Sequence, residues 1–335
     1  MRLVTPVSAD FGEYWDSLVA RSRLTPVYAS GHLRYYEWAV KADIVADLSA
    51  VVVRDDDVVA GARLILSTNG NGRVLDYFGM PAPIVLPTAL SKESEVAGSV
   101  LAHHLFGMGL KNLMREGLTA FSATFPMHRA ITSPIAGLFF ECSHRIYPEF
   151  LRVLELEGED LGAGPRKTKS VKTALKAAAN EGLTCRILDS ASSPEEIREA
   201  VTNLQRLHFV SAARRTRSQE SWDEQRECIE RGSAFLVQGA LDGEVVGAAF
   251  FLTAGPSAYY GVSANNAQYR HISLSHVLVN ETVDYLVNSA FERLFLGSQF
   301  SEKSRQVSSK EVQIERFKSL FGGQILCSLI ADRFG

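Results

Sequence analysis

Between Ser257 and Gly323 the apolar positions change spacing from strand to helix and back again. Ala258–Ala264 reads as a strand and is followed by the polar run Asn265-Asn-Ala-Gln-Tyr-Arg270. An amphipathic helix is expected from Ser273 to about Ser289, then a second apolar strand over Arg293–Gly297. The stretch closes on Glu315-Arg-Phe-Lys-Ser-Leu-Phe-Gly-Gly323. Upstream, Ser233–Leu241 and Val245–Leu252 alternate around Asp242-Gly243, a good hairpin signal.

The first half repeats this order. A helix over roughly Phe11–Arg21 carries Trp15, Leu18 and Val19 on one face, and a second helical patch surrounds Leu33–Val40. Leu48–Arg54 and Val58–Leu66 flank an acidic turn, Asp55–Asp57, and a further strand is expected near Arg73–Tyr77. A helix over about Glu95–Glu116 and a buried strand over Leu118–Thr124 complete the set. Val59-Ala-Gly-Ala62 and Val245-Val-Gly-Ala248 occupy equivalent points of two hairpins. The order therefore reads as an internal duplication, with a period far too long for a solenoid.

Between the halves, Pro165–Gly182 is rich in strong helix formers and ends on a glycine stop. Val171, Leu175 and Ala178 make its apolar stripe. Five basic residues fall between Arg166 and Lys176 with no acid among them, either an anion-facing surface or a solvated helix face. The expected division is 1–160, a connecting basic helix over 161–185, and 186–335.

Composition narrows the class. The chain has 335 residues, 46% hydrophobic and 22% charged, which suits two globular domains. A formal charge of −3 gives no global pull toward nucleic acid or anionic membrane. Four scattered cysteines show no metal spacing, and no apolar run is long enough to span a bilayer. The N-terminus is too short and polar for a signal peptide, so a cytoplasmic location is expected.

The chemistry gathers at Arg270-His-Ile-Ser-Leu-Ser275, an R-x-x-S-x-S spacing directly before a helix. Small residues there let backbone N–H groups face a phosphate, and the helix start adds partial positive charge. Arg270, Ser273 and Ser275 are thus candidate donor-binding residues, with serine expected to serve as an N-cap. The first half has no counterpart: Thr88–Ser94 carries an acid and no such spacing. One half therefore reads as degenerate, supplying a wall of a substrate cleft. Tyr259 and Tyr260 lie on the flanking strand, where alternation sends one into the cleft and the other into the core; Tyr260 is the candidate for a hydroxyl near the leaving group. His276, in the first helical turn, is a candidate base because a positive helix end lowers its proton affinity. His208, Arg214 and Arg215 are candidate substrate contacts, the arginines offering planar forks to phosphate or carboxylate. Lys318 and Arg316 are placed to project toward a cleft beyond Gly297, and Lys303, Arg305 and Lys310 lie in a polar loop read as a lid.

Together the helix ending Asn-Glu-Gly-Leu-Thr-Cys185, the hairpin Asp242–Gly247, Gln268–Ser273 and Glu315–Gly323 resemble the FemAB-like and BioF2-like transferases. The resemblance implies an α/β chain of two tandem acetyltransferase-like (GNAT) domains, each a mixed, mostly antiparallel sheet flanked by helices. It also implies an enzyme that moves an acyl or aminoacyl group onto an amine, with acyl-CoA or aminoacyl-tRNA as donor and no metal. The acceptor would be an amino acid, an amino-sugar or a peptidoglycan-type precursor. By the same resemblance, Arg316 and Lys318 touch the donor phosphate or the tetrahedral intermediate. Glu196–Arg231 has room only for short helices, against the long arm of many tRNA-dependent members. Two alternatives stand beside this: N-acyl amino acid synthesis from an acyl-carrier protein, and a catalytically inactive metabolite-binding protein of the same fold.

Overall fold

The structure is a computed structural model that describes residues 1–40, 43–69, 72–85, 92–107, 118–126, 134–156, 168–299 and 308–333. It forms two compact units. The first comprises Met1–Leu24, Tyr28–Glu149 and Leu326–Gly335; the second comprises Thr25–Val27 and Phe150–Ile325.

The first unit contains β1 (Arg2–Val4), β2 (Asp43–Asp47), β3 (Ala50–Arg54), β4 (Asp57–Ala62), β5 (Ile65–Asn69), β6 (Gly72–Asp76), β7 (Ala82–Val85) and β8 (Leu118–Pro126). Its helices are α1 (Phe11–Arg21), α2 (Leu33–Val40), α3 (Lys92–Gly107) and α4 (Pro134–Cys142). The β3–β4 hairpin pairs through β4 with β7, also antiparallel, and β7 runs parallel to β8. Strand β6 is parallel to the earlier part of β8, so that edge is paired at both ends. Leu64, Leu75, Phe121, Phe125 and Phe139 form the core of the unit.

Strand β9 (Arg145–Glu155) leads into the second unit, which holds β10 (Thr184–Leu188), β11 (Ala234–Leu241), β12 (Glu244–Ala254), β13 (Ser257–Asn265) and β14 (Arg293–Ser298). Its helices are α5 (Lys169–Asn180), α6 (Pro194–Ala212), α7 (Gln219–Glu230), α8 (Leu274–Asn288) and α9 (Ser309–Ser319). Strands β10 to β13 are successively antiparallel, β13 is parallel to β14, and β14 is antiparallel to Leu151–Glu155 of β9. The last strand, β15 (Gln324–Arg333), pairs with β8 and so completes the first unit rather than the second.

The same sequence of pairings therefore occurs twice: hairpin, antiparallel third strand, parallel strand after a helix, antiparallel closing strand. Each unit is a mixed, mostly antiparallel sheet with helices against it, as the resemblance implied. Three expectations change. The basic helix at 161–185 is α5, which packs within the second unit, its buried Ala174 and Ala178 with Ile272, Leu274 and Val277 and its Val171 with Leu278 and Val279. The boundary at 186–335 meets a chain end that belongs to the first unit. The short helices expected in Glu196–Arg231 are helices of 19 and 12 residues, packed on each other and, for α6, on β12 and β13. Arg166, Lys303, Arg305 and the expected helix end near Glu116 lie outside the described residues. Among those residues, no helix is long and apolar enough to cross a membrane.

Candidate functional site

The bend after β13 is built from the core outward. Ile272, Leu274 and Val277 are buried over Ala174 and Ala178 of α5 and Val246 of β12, so the backbone between them has little freedom. Asn266 caps the 3₁₀ turn Ala267–Ile272, its side chain accepting from the Gln268 N–H. Ser273 then adopts left-handed φ/ψ of 56° and 50° before α8 begins. The expectation that Ser273 caps the helix is corrected. In this conformation, rather than the extended one usual at an N-cap, its hydroxyl makes no capping bond. A left-handed serine costs on the order of 1 kcal/mol, which glycine would not pay. Ser275 is held differently: its Oγ accepts from Asn265 Nδ2 at 2.6 Å. The N–H groups of Leu274 and Ser275 open the helix and have no intrahelical acceptor, whereas the His276 N–H donates to the Ser273 carbonyl at 2.8 Å.

A cavity of about 600 Å³ lies on this bend, within the second unit. Arg270, Ser273, Ser275 and His276 all line it, with Val210 and Phe317 as apolar walls. Arg270 is exposed and has no carboxylate partner among the described residues, so its charge is available to an anion. The His276 ring lies edge-on to Phe317 at 5.0 Å and beside Phe321 at 5.8 Å. Burial lowers its pKa, so the neutral imidazole dominates at pH 7; burial, not the helix start, is the main cause. Its Nε2 is buried without a hydrogen-bond partner among the described residues.

The sheet opens beside the cavity. Strands β13 and β14 are in register only from Ser257 to Tyr259 and Arg293 to Phe295. Gly261 is a bulge: Phe250 faces Val262 while Phe251 faces Tyr260. A bulge bends its strand, and past Tyr260 β13 has no registered partner on the β14 side. On the β14 arm stands Gly297, with φ of 91°. Lys318 Nζ lies 3.0 Å, and the Tyr259 hydroxyl 3.4 Å, from where a Cβ on Gly297 would sit. Burial pulls the Lys318 pKa down to about 8, with Glu315 raising it and Arg152 lowering it. Lys318 therefore exchanges a proton near neutral pH.

The two tyrosines divide, with Tyr259 rather than Tyr260 beside Gly297. The Tyr260 ring packs on Phe251 at 5.3 Å, and its hydroxyl donates to Ser263 Oγ at 2.6 Å. Burial raises its pKa, so it stays a neutral donor. The remaining predicted residues do not line the cavity. His208 packs edge-on to Trp222 at 5.5 Å and its pKa is lowered by burial. Arg214 and Arg215 are exposed beyond the end of α6, and Arg316 is exposed on α9. The contact of Asn265 with Ser275, the Gly261 bulge and the choice of Tyr259 over Tyr260 escape a reading of the sequence. Their roles depend on strand register, and only the glycine hints at an interruption.

No protein-family model matches the sequence, and no curated protein matches it. Solved structures do. FemX superposes with a TM-score of 0.68 at 11% identity, covering 98% of this chain and 97% of that one. L-PGS from Bacillus licheniformis gives 0.57 at 10% identity over 89% and 86% of the two chains. A tandem GNAT protein from the clavulanic acid biosynthesis pathway gives 0.50 at 14% identity over 99% and 98%. The chain has the tandem acetyltransferase-like fold that FemX also has.

Proposed function

We propose that the protein is a transferase that moves an acyl or aminoacyl group from an activated ester or thioester to an amine, in the cleft of its second unit. The observation that carries this reading is the open cavity at Arg270–His276, set beside two parallel strands that part just past Tyr259. Arg270 and the first N–H groups of α8 hold the donor's phosphate, and the acyl group passes into the strand opening. The acceptor's neutral amine attacks the donor carbonyl. A C–N bond forms, the C–S or C–O bond breaks, and the amine's surplus proton goes to Lys318, which returns it to the leaving thiolate or alkoxide. A lysine with a pKa near 8 suits both halves of that exchange. His276 is the second candidate for this proton. The unpaired edge of β13 beyond Tyr260 offers backbone groups to the donor.

The fold of FemX makes aminoacyl-tRNA a donor to test beside coenzyme A thioesters. The deciding experiment is calorimetry with coenzyme A and with deacylated tRNA, on the wild type and on Arg270→Ala. The expected result is binding of one of the two, weakened tenfold or more in the variant, because a charge-assisted phosphate bond contributes about 1.5–3 kcal/mol. If neither of these molecules nor an acyl-carrier protein binds the wild type, this reading fails. The exposed Lys169, Lys172 and Lys176 on α5 favour a third donor, an acidic acyl-carrier protein. That complex would weaken steeply as salt is raised.

A further inference from the structure

Beneath Lys318 is a buried group that the proposed chemistry does not use. Arg152, on β9, is 8% exposed. One of its terminal nitrogens donates to the Gly322 carbonyl at 2.8 Å. The other donates to Gln299 Oε1 at 2.8 Å and Glu315 Oε1 at 3.3 Å. One guanidinium thus ties together the segment following β14, helix α9 and the turn after α9.

The charge balance is uneven. The groups acting on Lys318 are Glu315, one turn earlier on its own helix, and Arg152 from β9, while the uncharged Tyr259 hydroxyl stands nearby on β13. One carboxylate therefore serves two cations. A purely structural ion pair has no need of the second, and burying like charges together costs stability. Geometry points the same way. Arg152 holds Glu315 and Gly322, which bracket Lys318 in the sequence, so its fork fixes the backbone from which Lys318 reaches Gly297.

We propose that Arg152 is a positioning residue of the transfer reaction: its three-way fork sets Lys318 over Gly297, and its charge, facing the Glu315 carboxylate, keeps the Lys318 amine ready to take a proton. This rests on the reading of Lys318 as the group that carries the proton.

The first test reads Lys318 directly and needs no substrate. The full-length chain is labelled with acetic anhydride across a range of pH, and the Lys318 peptide is followed by mass spectrometry. In the wild type its reactivity should rise with a midpoint of about 8. Arg152→Gln removes a positive charge, so the midpoint should move up. A rise of one unit cuts labelling at pH 8 about fivefold. Glu315→Gln should move it down and raise labelling at pH 7. If Arg152→Gln folds and its profile superimposes on the wild type, or if both variants shift in the same direction, the proposal is overturned. If Arg152→Gln does not fold, Arg152→Lys decides. It keeps the charge but loses the fork, so kcat should fall at least tenfold with donor affinity unchanged, and an unchanged kcat overturns the proposal. Failure of the underlying reading looks different: Lys318→Met would then turn over at the wild-type rate, whatever the labelling shows.

Discussion

Lys318 shows how one side chain trades stability for chemistry. Its pKa in the folded chain is about 8, below the ordinary 10.5. Between those values the unfolded chain binds more protons, so this group makes stability rise with pH across that window. At pH 7 the folded chain must keep a charged amine in a site that disfavours it. Lys318→Met is therefore expected to stabilise the protein at pH 7 by about 1–3 kcal/mol, with the gain fading toward pH 10.5. Turnover should fall about a hundredfold or more. Denaturant melts at pH 7 and pH 10, run beside kinetics, check both halves. A variant less stable at pH 7 than at pH 10, relative to wild type, contradicts the assignment. For the wild type, kcat/KM should rise with pH toward about 8, because the amine must be neutral to accept a proton.

At the level of elements, the opening between β13 and β14 is made by two interruptions. The bulge at Gly261 bends β13, and Gly297 lets β14 turn at φ of 91° while leaving room for Lys318 Nζ and the Tyr259 hydroxyl. Gly297→Ala places a methyl group against both and strains the backbone. It should cost about 1–3 kcal/mol of stability. It should also displace the Lys318 amine, so turnover falls while donor affinity at the Arg270 bend stays near wild type. Thermal melts, calorimetry and kinetics on one preparation separate these effects, and wild-type turnover would refute the placement of Lys318. Helix α5 supports the bend through Ala174 and Ala178, whose small side chains let Ile272 and Leu274 pack closely.

In the whole molecule, neither unit is a continuous piece of sequence. Strand β15 pairs with β8 along Phe121–Pro126, and Asp332 accepts from Ser122 Oγ at 2.5 Å and from the Tyr147 hydroxyl at 2.8 Å. A chain ending at Ile325 would leave β8 with an unpaired edge and remove the buried Ile330 and Ala331. Hydrogen exchange should then show β8 losing protection while β11 to β13 keep theirs. Equal protection of β8 in the shortened and full chains would sink this expectation.

The local patterns were written in the sequence. Phe11–Arg21 and Leu33–Val40 are helices with the bounds the spacing suggests, because their apolar faces repeat at the helical period. The two hairpins form around Asp55-Asp56 and Asp242-Gly243, turns that place residues at positive φ. The bend at Arg270–Ser275 was legible too, since it needs only a strand, small residues and a helix in order. What the sequence could not show depends on contacts between distant residues. Strand β9 was missed: Pro148 interrupts its pattern, and its hydrogen bonds in the second unit are to β14, far along the chain. The choice of Tyr259 over Tyr260 beside Gly297, the bulge, the lowered pKa of Lys318 and the Arg152 fork are likewise tertiary. Each needs groups from separate elements brought within a few ångströms, and spacing along one strand or helix carries no record of what will face it.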